Sequence, residues 1–217
     1  MWRIESQLGD AGAHYDRRAA AYDRLIRSTL YNRIAWSTSP ADYADFAAQA
    51  FASGSGPLLE VAAGSAAATA LLHARSRRPT VLVDASRAML ERAGQNIAAL
   101  SPGREAGGPR VRLVQAHLLT MALPTQFTTV LGLGFMHLFE DLDAALAALR
   151  AVLAPGGELY LAGLVADTRR GQRYLQLLHR AGEVAVPRTG DQLREALNRP
   201  TDFETKGCMA YARITAT

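Results

Sequence analysis

The chain has 217 residues, 49% of them hydrophobic and 20% charged, a length that fills one domain and a composition that excludes wholesale disorder, collagen-like repetition and coiled-coil architecture. Its 24 basic and 20 acidic residues leave a net charge of +4, but Lys206 is the only lysine and the arginines scatter in small groups without interleaved aromatics, which argues against a nucleic-acid partner. No apolar run reaches the roughly 18 residues of a membrane span, and the start Met1-Trp2-Arg3-Ile4 lacks the features of a signal peptide, so a cytoplasmic protein is expected.

Over residues 11–36, Tyr15, Tyr22, Leu25, Ile26, Leu30 and Ile34 recur at three- and four-residue spacings, which predicts a helix. Pro40 starts a second helix with Tyr43, Phe46, Ala47 and Phe51 on its apolar face, and the Ser/Gly/Pro run at 52–57 closes the region. The hydrophobic period then changes. Residues 57–61, 80–83, 111–114, 128–133 and 158–165 read as buried strands, and helical patterns lie between them at 67–75, 87–100 and 142–153. This alternation predicts an α/β architecture: a doubly wound, mostly parallel sheet with helices on both faces. Residues 101–109 form a surface loop, and Pro155-Gly156-Gly157 a sharp turn into a strand. A short helix over 191–199, with Asp191 as its cap, leads to strands at 203–209 and 211–215, an antiparallel pair that completes a seven-stranded sheet. Between them lies Cys208, which has no partner for a disulfide and reads as a small buried hydrophobe; the histidines and carboxylates show no metal-ligand spacing, so no metal is expected. The expected organisation is a single domain over 1–217, with a helical cap at 1–56, a core at 57–165 and an insertion at 166–190.

Ligands of doubly wound sheets bind beyond the carboxyl ends of the strands. The first such loop has small residues at Ala62, Gly64 and Ala66, which admit a ligand to the backbone, although a dinucleotide site would want glycine at 62, 64 and 67 and two of those are alanine. Close strand-to-helix packing is the competing reading of this loop. Asp84, at the tip of the second strand, is placed to accept both hydroxyls of a ribose; its alternative duty is to cap the next helix, which Ser86 can also do. With Glu60 at the tip of the first strand, two acids face one crevice, favouring a nucleoside that carries positive charge over one that carries pyrophosphate.

Residues 58–165 resemble the class I S-adenosylmethionine-dependent methyltransferases, especially the small-molecule branch that includes the quinone-biosynthesis C-methyltransferases. The likeness rests on LLEVAAGSA, VLVDASRAMLERA, VRLVQAHLLTMALP and the run VLGLGFMHLFEDLDAALAALRAVLAPGGELYLAGLV in that order. It implies S-adenosyl-L-methionine as cofactor, with Glu60 near the methionine amine, Ala62 and Gly64 beneath the cofactor, Asp84 and Ala85 at the ribose and Met89 beside the adenine. It further implies that His117 stands where an aspartate commonly accepts from the adenine amino group, that the Leu118 amide serves the ring nitrogen, and that Gly132, Leu133 and Gly134 line the methyl-transfer channel. Tyr15 and Tyr22 match an aromatic cover over the site, with core packing as their other reading.

Two departures stand out. The family's first loop usually has glycines at Ala62 and Ala66, and alanine at either costs roughly 1–2 kcal/mol if the position needs a positive φ. His117 is an acceptor only in its neutral form. His137, just past the fourth strand, is the best-placed general base, its alternative being a histidine bonded to backbone at a helix start; His179 and Asp167 receive no role. The expected function is methyl transfer to a small, aromatic or apolar acceptor. The alternatives are a cofactor-binding or regulatory protein without transfer activity and an RNA methyltransferase. The Asn/Asp-Pro-Pro-aromatic motif of enzymes that methylate DNA bases is replaced here by Gly132-Leu133-Gly134-Phe135.

Overall fold

Leu58, Glu60 and Val61 have neighbours on both faces of a sheet, and all four residues of strand β2 (Leu58–Val61) are buried, as expected of a central strand in a layered α/β fold. The computed structural model describes residues 2–8, 40–100, 110–123, 126–198 and 200–216. The expected helix over 11–36, with Tyr15 and Tyr22, and the loop at 101–109 lie outside the described residues.

In chain order the elements are β1 (Ile4–Ser6), α1 (Pro40–Ala52), β2, α2 (Ala70–Arg75), β3 (Thr80–Asp84), α3 (Arg87–Ala99), β4 (Val111–Gln115), β5 (Phe127–Gly132), α4 (Leu142–Val152), β6 (Leu153–Leu164), α5 (Arg169–Arg180), α6 (Gly190–Ala196), β7 (Asp202–Lys206) and β8 (Met209–Thr215). Short 3₁₀ turns at Leu118–Thr120 and Met136–Leu138 follow β4 and β5. The described strands form one sheet in the order β1-β4-β3-β2-β5-β6-β8-β7. Pairing is parallel from β1 through β6 and antiparallel at β6–β8 and β7–β8. The α/β expectation, with its C-terminal antiparallel pair, therefore holds. Strand order reverses where β2 pairs with β3 on one side and β5 on the other, and that switch point opens the crevice at the first loop.

Helix α4 shows how sequence sets these elements. Asp141 accepts the Ala144 amide at 2.8 Å as N-cap, and Leu142, Ala145, Leu146, Leu149 and Val152 form one buried stripe against the sheet. On the opposite face, the buried Arg78 holds the end of α1 to the sheet. Its guanidinium donates to the carbonyls of Ala50, Phe51 and Gly56 and to the hydroxyls of Thr128 and Thr129, which satisfies carbonyls that a helix end leaves without partners.

Four features differ from the expectations. An eighth strand, β1, pairs with β4 at the edge; three residues of which Glu5 and Ser6 are exposed carry no alternating pattern to betray it. Trp2 beside it packs over Gly94 of α3, where a side chain of any size would collide with the indole. The 166–190 insertion contains helix α5, for which no periodic pattern was available because only Gly171 and Leu175 of its residues are buried. The cap of α6 is Thr189, in a reciprocal capping box with Gln192, and not Asp191. Finally, β6 begins at Leu153, so the Pro155-Gly156-Gly157 turn is an irregularity inside the strand, with Gly156 at φ +69°.

Candidate active site

The loop after β2 runs through three left-handed residues, Ala62 (φ 48°), Gly64 (φ 53°) and Ala66 (φ 52°). Both alanines therefore bear the backbone strain that the sequence raised as a condition, roughly 1–2 kcal/mol each. The turn is held by Ala63 N–H to Val83 O at 3.1 Å and Ala66 N–H to Ala63 O at 2.9 Å, and Asn96 of α3 donates to the Ser65 carbonyl at 2.8 Å. Above Gly64 lies open space: a Cβ there would meet nothing within 4 Å.

Asp84 ends β3 beside this loop. Its Oδ2 accepts the Gly64 amide and its Oδ1 the Ser86 amide, each at 2.8 Å. The capping duty falls to Ser86, whose hydroxyl accepts the Met89 amide. Both carboxylate oxygens of Asp84 thus accept backbone amides. Ala85 is half-buried and its carbonyl is held by Gln115; Met89 is buried at the start of α3.

Past β4, His117 caps the 3₁₀ turn, its Nδ1 taking the Leu119 amide at 3.4 Å. A neutral ring that accepts at Nδ1 carries its proton on Nε2, so the lone pair of a neutral His117 is engaged by this amide. Leu118 is buried.

Gly132 closes β5, where a Cβ would press on Phe135 and Leu161 at 3.0–3.1 Å. Gly134 takes φ 62°, and a Cβ there would stand 3.1 Å from the Tyr43 hydroxyl and 3.9 Å from His137 Cε1, so both side chains face this loop. Tyr43 is a candidate that the sequence reading did not single out for the site: its helical spacing assigned it to the apolar face of α1, and nothing local marked its hydroxyl. Leu133 packs with Phe46, Tyr43 and Tyr211 in one apolar cluster.

His137 is buried, and its Nδ1 accepts the Leu164 amide at 3.2 Å. Burial lowers its pKa from 6.5 to about 4. The ring is thus neutral with its proton on Nε2, which is the backbone-bonded reading; it offers a donor, and the lone pair needed for general-base duty is taken. The segment after β6 is stitched to the same turn, with Ala185 N–H on the His137 carbonyl at 2.9 Å and the Arg188 guanidinium on the carbonyls of Phe139 and Glu140.

Glu60 does not open into the crevice as a free acid. It is 2% exposed, with Oε1 accepting from the Thr69 hydroxyl at 3.0 Å and Oε2 lying 2.5 Å from His73 Nε2. Thr69 and His73 were likewise not singled out from the sequence. Their signal is an i, i+4 pair of polar residues on the face of α2 that turns toward β2. Among the described residues no three His, Cys, Asp or Glu gather to hold a metal, and no helix is long and apolar enough to cross a membrane.

Residues 58–157 match the family model described as a methyltransferase domain. No curated protein sequence matches the chain. Among solved structures, the chain is similar to the N-methyltransferase NodS from Bradyrhizobium japonicum WM9 in complex with S-adenosyl-L-homocysteine, at 15% identity and TM-score 0.65, over 95% of this chain and 99% of that one. It is similar to DhpI in complex with the same compound, at 21% identity and TM-score 0.62, over 94% and 93% of the two chains. The [4+2]-cyclase SpnF matches at 13% identity and TM-score 0.72, over 99% and 98%. The chain thus shares its fold with these solved structures, and residues 58–157 match a methyltransferase domain. The residues fit S-adenosyl-L-methionine, the group implied by the sequence resemblance, in having open space over a glycine backbone, a carboxylate at the tip of β3 and no pyrophosphate-binding glycine pattern.

Proposed function

We propose that the protein transfers the methyl group of S-adenosyl-L-methionine to a small aromatic or apolar metabolite, of the kind handled by quinone-biosynthesis methyltransferases, with the cytoplasm as its site of action. One observation carries the acceptor class: the wall beside Gly134 is aromatic, with Tyr43 edge-on to Tyr211 at 6.3 Å and Phe46 against Tyr211 at 5.1 Å. Bound cofactor supplies an electrophilic sulfonium methyl. The chain's own residues supply the rest. Asp84 holds the ribose, Ala62 and Gly64 form the floor, Ala85, Met89, His117 and Leu118 surround the adenine, and Gly132 and Leu133 border the path to the acceptor. Transfer is an in-line displacement that depends chiefly on alignment in a water-poor pocket. His137 serves there as a fixed neutral donor from Nε2 that orients an acceptor oxygen or nitrogen.

A second reading, a protein that binds the cofactor without transferring its methyl, draws support from the likeness to a [4+2]-cyclase over nearly the whole chain. Calorimetry with S-adenosyl-L-methionine and S-adenosyl-L-homocysteine, followed by mass spectrometry of phenolic, amine and activated-ring acceptors for one added methyl, separates the two. Binding with transfer to a member of the panel is expected. Binding of neither compound at millimolar concentration overturns the enzyme reading.

A further inference from the structure

Helix α5 turns its apolar residues inward and its charges outward. Gly171 and Leu175 are buried, and Tyr174 and Leu178 pack on the cluster that contains Phe46, Leu164 and Met209. At about 100° per residue these four cover one side of the helix. On the other side Arg170, Arg173, Leu177 and Arg180 follow one another at i, i+3, i+7 and i+10, with Arg169 beside Arg173, and all five are exposed. The row is cationic with an apolar centre: Leu177 is 62% exposed, the most of any large hydrophobic residue among those described.

Nothing in the helix answers this charge. It holds no acidic residue, and among the described residues none of its arginines makes an ion pair. Helix physics disfavours the arrangement as well. Arg169 and Arg170 open the helix, where the backbone dipole is positive, and each repels Arg173 one turn on. Only Arg180, in the last turn, suits the dipole. Against an anionic surface both penalties reverse.

The face itself discriminates between anionic surfaces. A helix that lies in a lipid interface buries a whole apolar face, whereas the apolar side of α5 is already packed on the protein and one leucine is left over. A single-stranded nucleic acid needs rings on which its bases stack, and Tyr174, the one aromatic residue of α5, is half-buried on the inward side. An apolar anchor set among arginines is instead the composition of a protein–protein interface. Its three- and four-residue spacing matches that of carboxylates along one face of a partner helix.

We propose that the outward face of α5 docks an acidic protein, whose carboxylates, borne on a helix, meet Arg170, Arg173 and Arg180 while an apolar contact closes over Leu177. This stands apart from the cofactor and acceptor readings above. The docked partner is tied to the turn that carries His137, because the segment that leaves α5 holds the His137 carbonyl through the Ala185 amide at 2.9 Å.

The test titrates the full chain into a fluorescent helical peptide of about 20 residues, with glutamates along one face around a central leucine, and into a scrambled peptide of the same composition. Salt is held at about 0.15 M so that only close charges count. Vesicles of phosphatidylglycerol and phosphatidylcholine, and a single-stranded RNA, supply the other anionic surfaces. The patterned peptide is expected to bind at least about tenfold more tightly than the scrambled one. Arg173→Glu is expected to weaken it at least about tenfold and Leu177→Ser at least about threefold; Arg77→Glu, the same charge change at an exposed site on another face, should weaken it less than about threefold. Arg170→Glu puts an acid in the first turn and is expected to raise the melting temperature while weakening the peptide. A lower melting temperature in that variant shows that the arginine serves the fold, which overturns the inference. Equal binding of the two peptides, an equal loss in Arg77→Glu, or tighter binding to the vesicles or the RNA than to the patterned peptide overturns it too.

Discussion

The Asp84 carboxylate and the Gly64 amide meet at 2.8 Å, so the acid at the tip of β3 braces the loop that leaves β2. In the proposed site the carboxylate that would meet the ribose thus also sets the backbone of the first loop. Asp84→Ala is expected to lose both duties. Charge-assisted hydrogen bonds contribute roughly 1.5–3 kcal/mol each before water compensates, so S-adenosyl-L-methionine affinity should fall at least about tenfold by calorimetry. An unchanged dissociation constant in a folded variant would remove Asp84 from the site.

Ala62 and Ala66 hold φ values of 48° and 52°. Replacing either with glycine relieves roughly 1–2 kcal/mol of strain while returning about 0.4–1 kcal/mol of entropy to the unfolded chain. Each variant should therefore gain about 1 kcal/mol in urea denaturation. If the methyl groups also crowd the ligand, affinity rises in parallel; no gain in stability would show that the loop accommodates them.

His137 titrates near 4 in the folded chain against 6.5 as its ordinary value. The unfolded chain therefore binds more protons between those values, and stability rises with pH through that window. As pH falls from about 6.5 to about 4, up to about 3 kcal/mol should be lost. Denaturation of His137→Gln should show a flatter profile over the same range. If turnover in that variant falls roughly 10²-fold at unchanged cofactor affinity, a base role would be reinstated.

Arg78 gathers five hydrogen bonds at one buried guanidinium. Its removal strands the carbonyls at the end of α1, so Arg78→Met should cost about 3 kcal/mol or more in stability. Because α1 carries Tyr43 at its other end, acceptor KM should rise with little change in cofactor affinity. A variant as stable as the parent would show that water replaces the arginine.

The elements legible in the sequence were those whose pattern reflects two-sided burial. Strands β2, β3 and β5 are short, mostly apolar and almost wholly buried, and α4 has an unbroken buried stripe. Strand β1 and helix α5 present too little apolar surface for periodicity to register. At the site, position along a strand was enough to single out Asp84 and Gly64. It did not give the partners of Glu60, because Thr69 and His73 meet it only once α2 has turned back across the sheet. The tautomers of His117 and His137 were hidden for the same reason: each is set by an amide whose place depends on tertiary structure.

The first strand of the sheet waits longest for its neighbour. Ser6 bonds to Gln115 across 109 residues of chain, and at about 5–20 residues per second of synthesis that partner follows some seconds later. A chain still on the ribosome must therefore carry Trp2 and Ile4 unsheltered until β4 and α3 have emerged. Edge pairing at β1 is then a closing step of folding, and in the finished protein its amides should be among the first of the sheet to exchange with solvent.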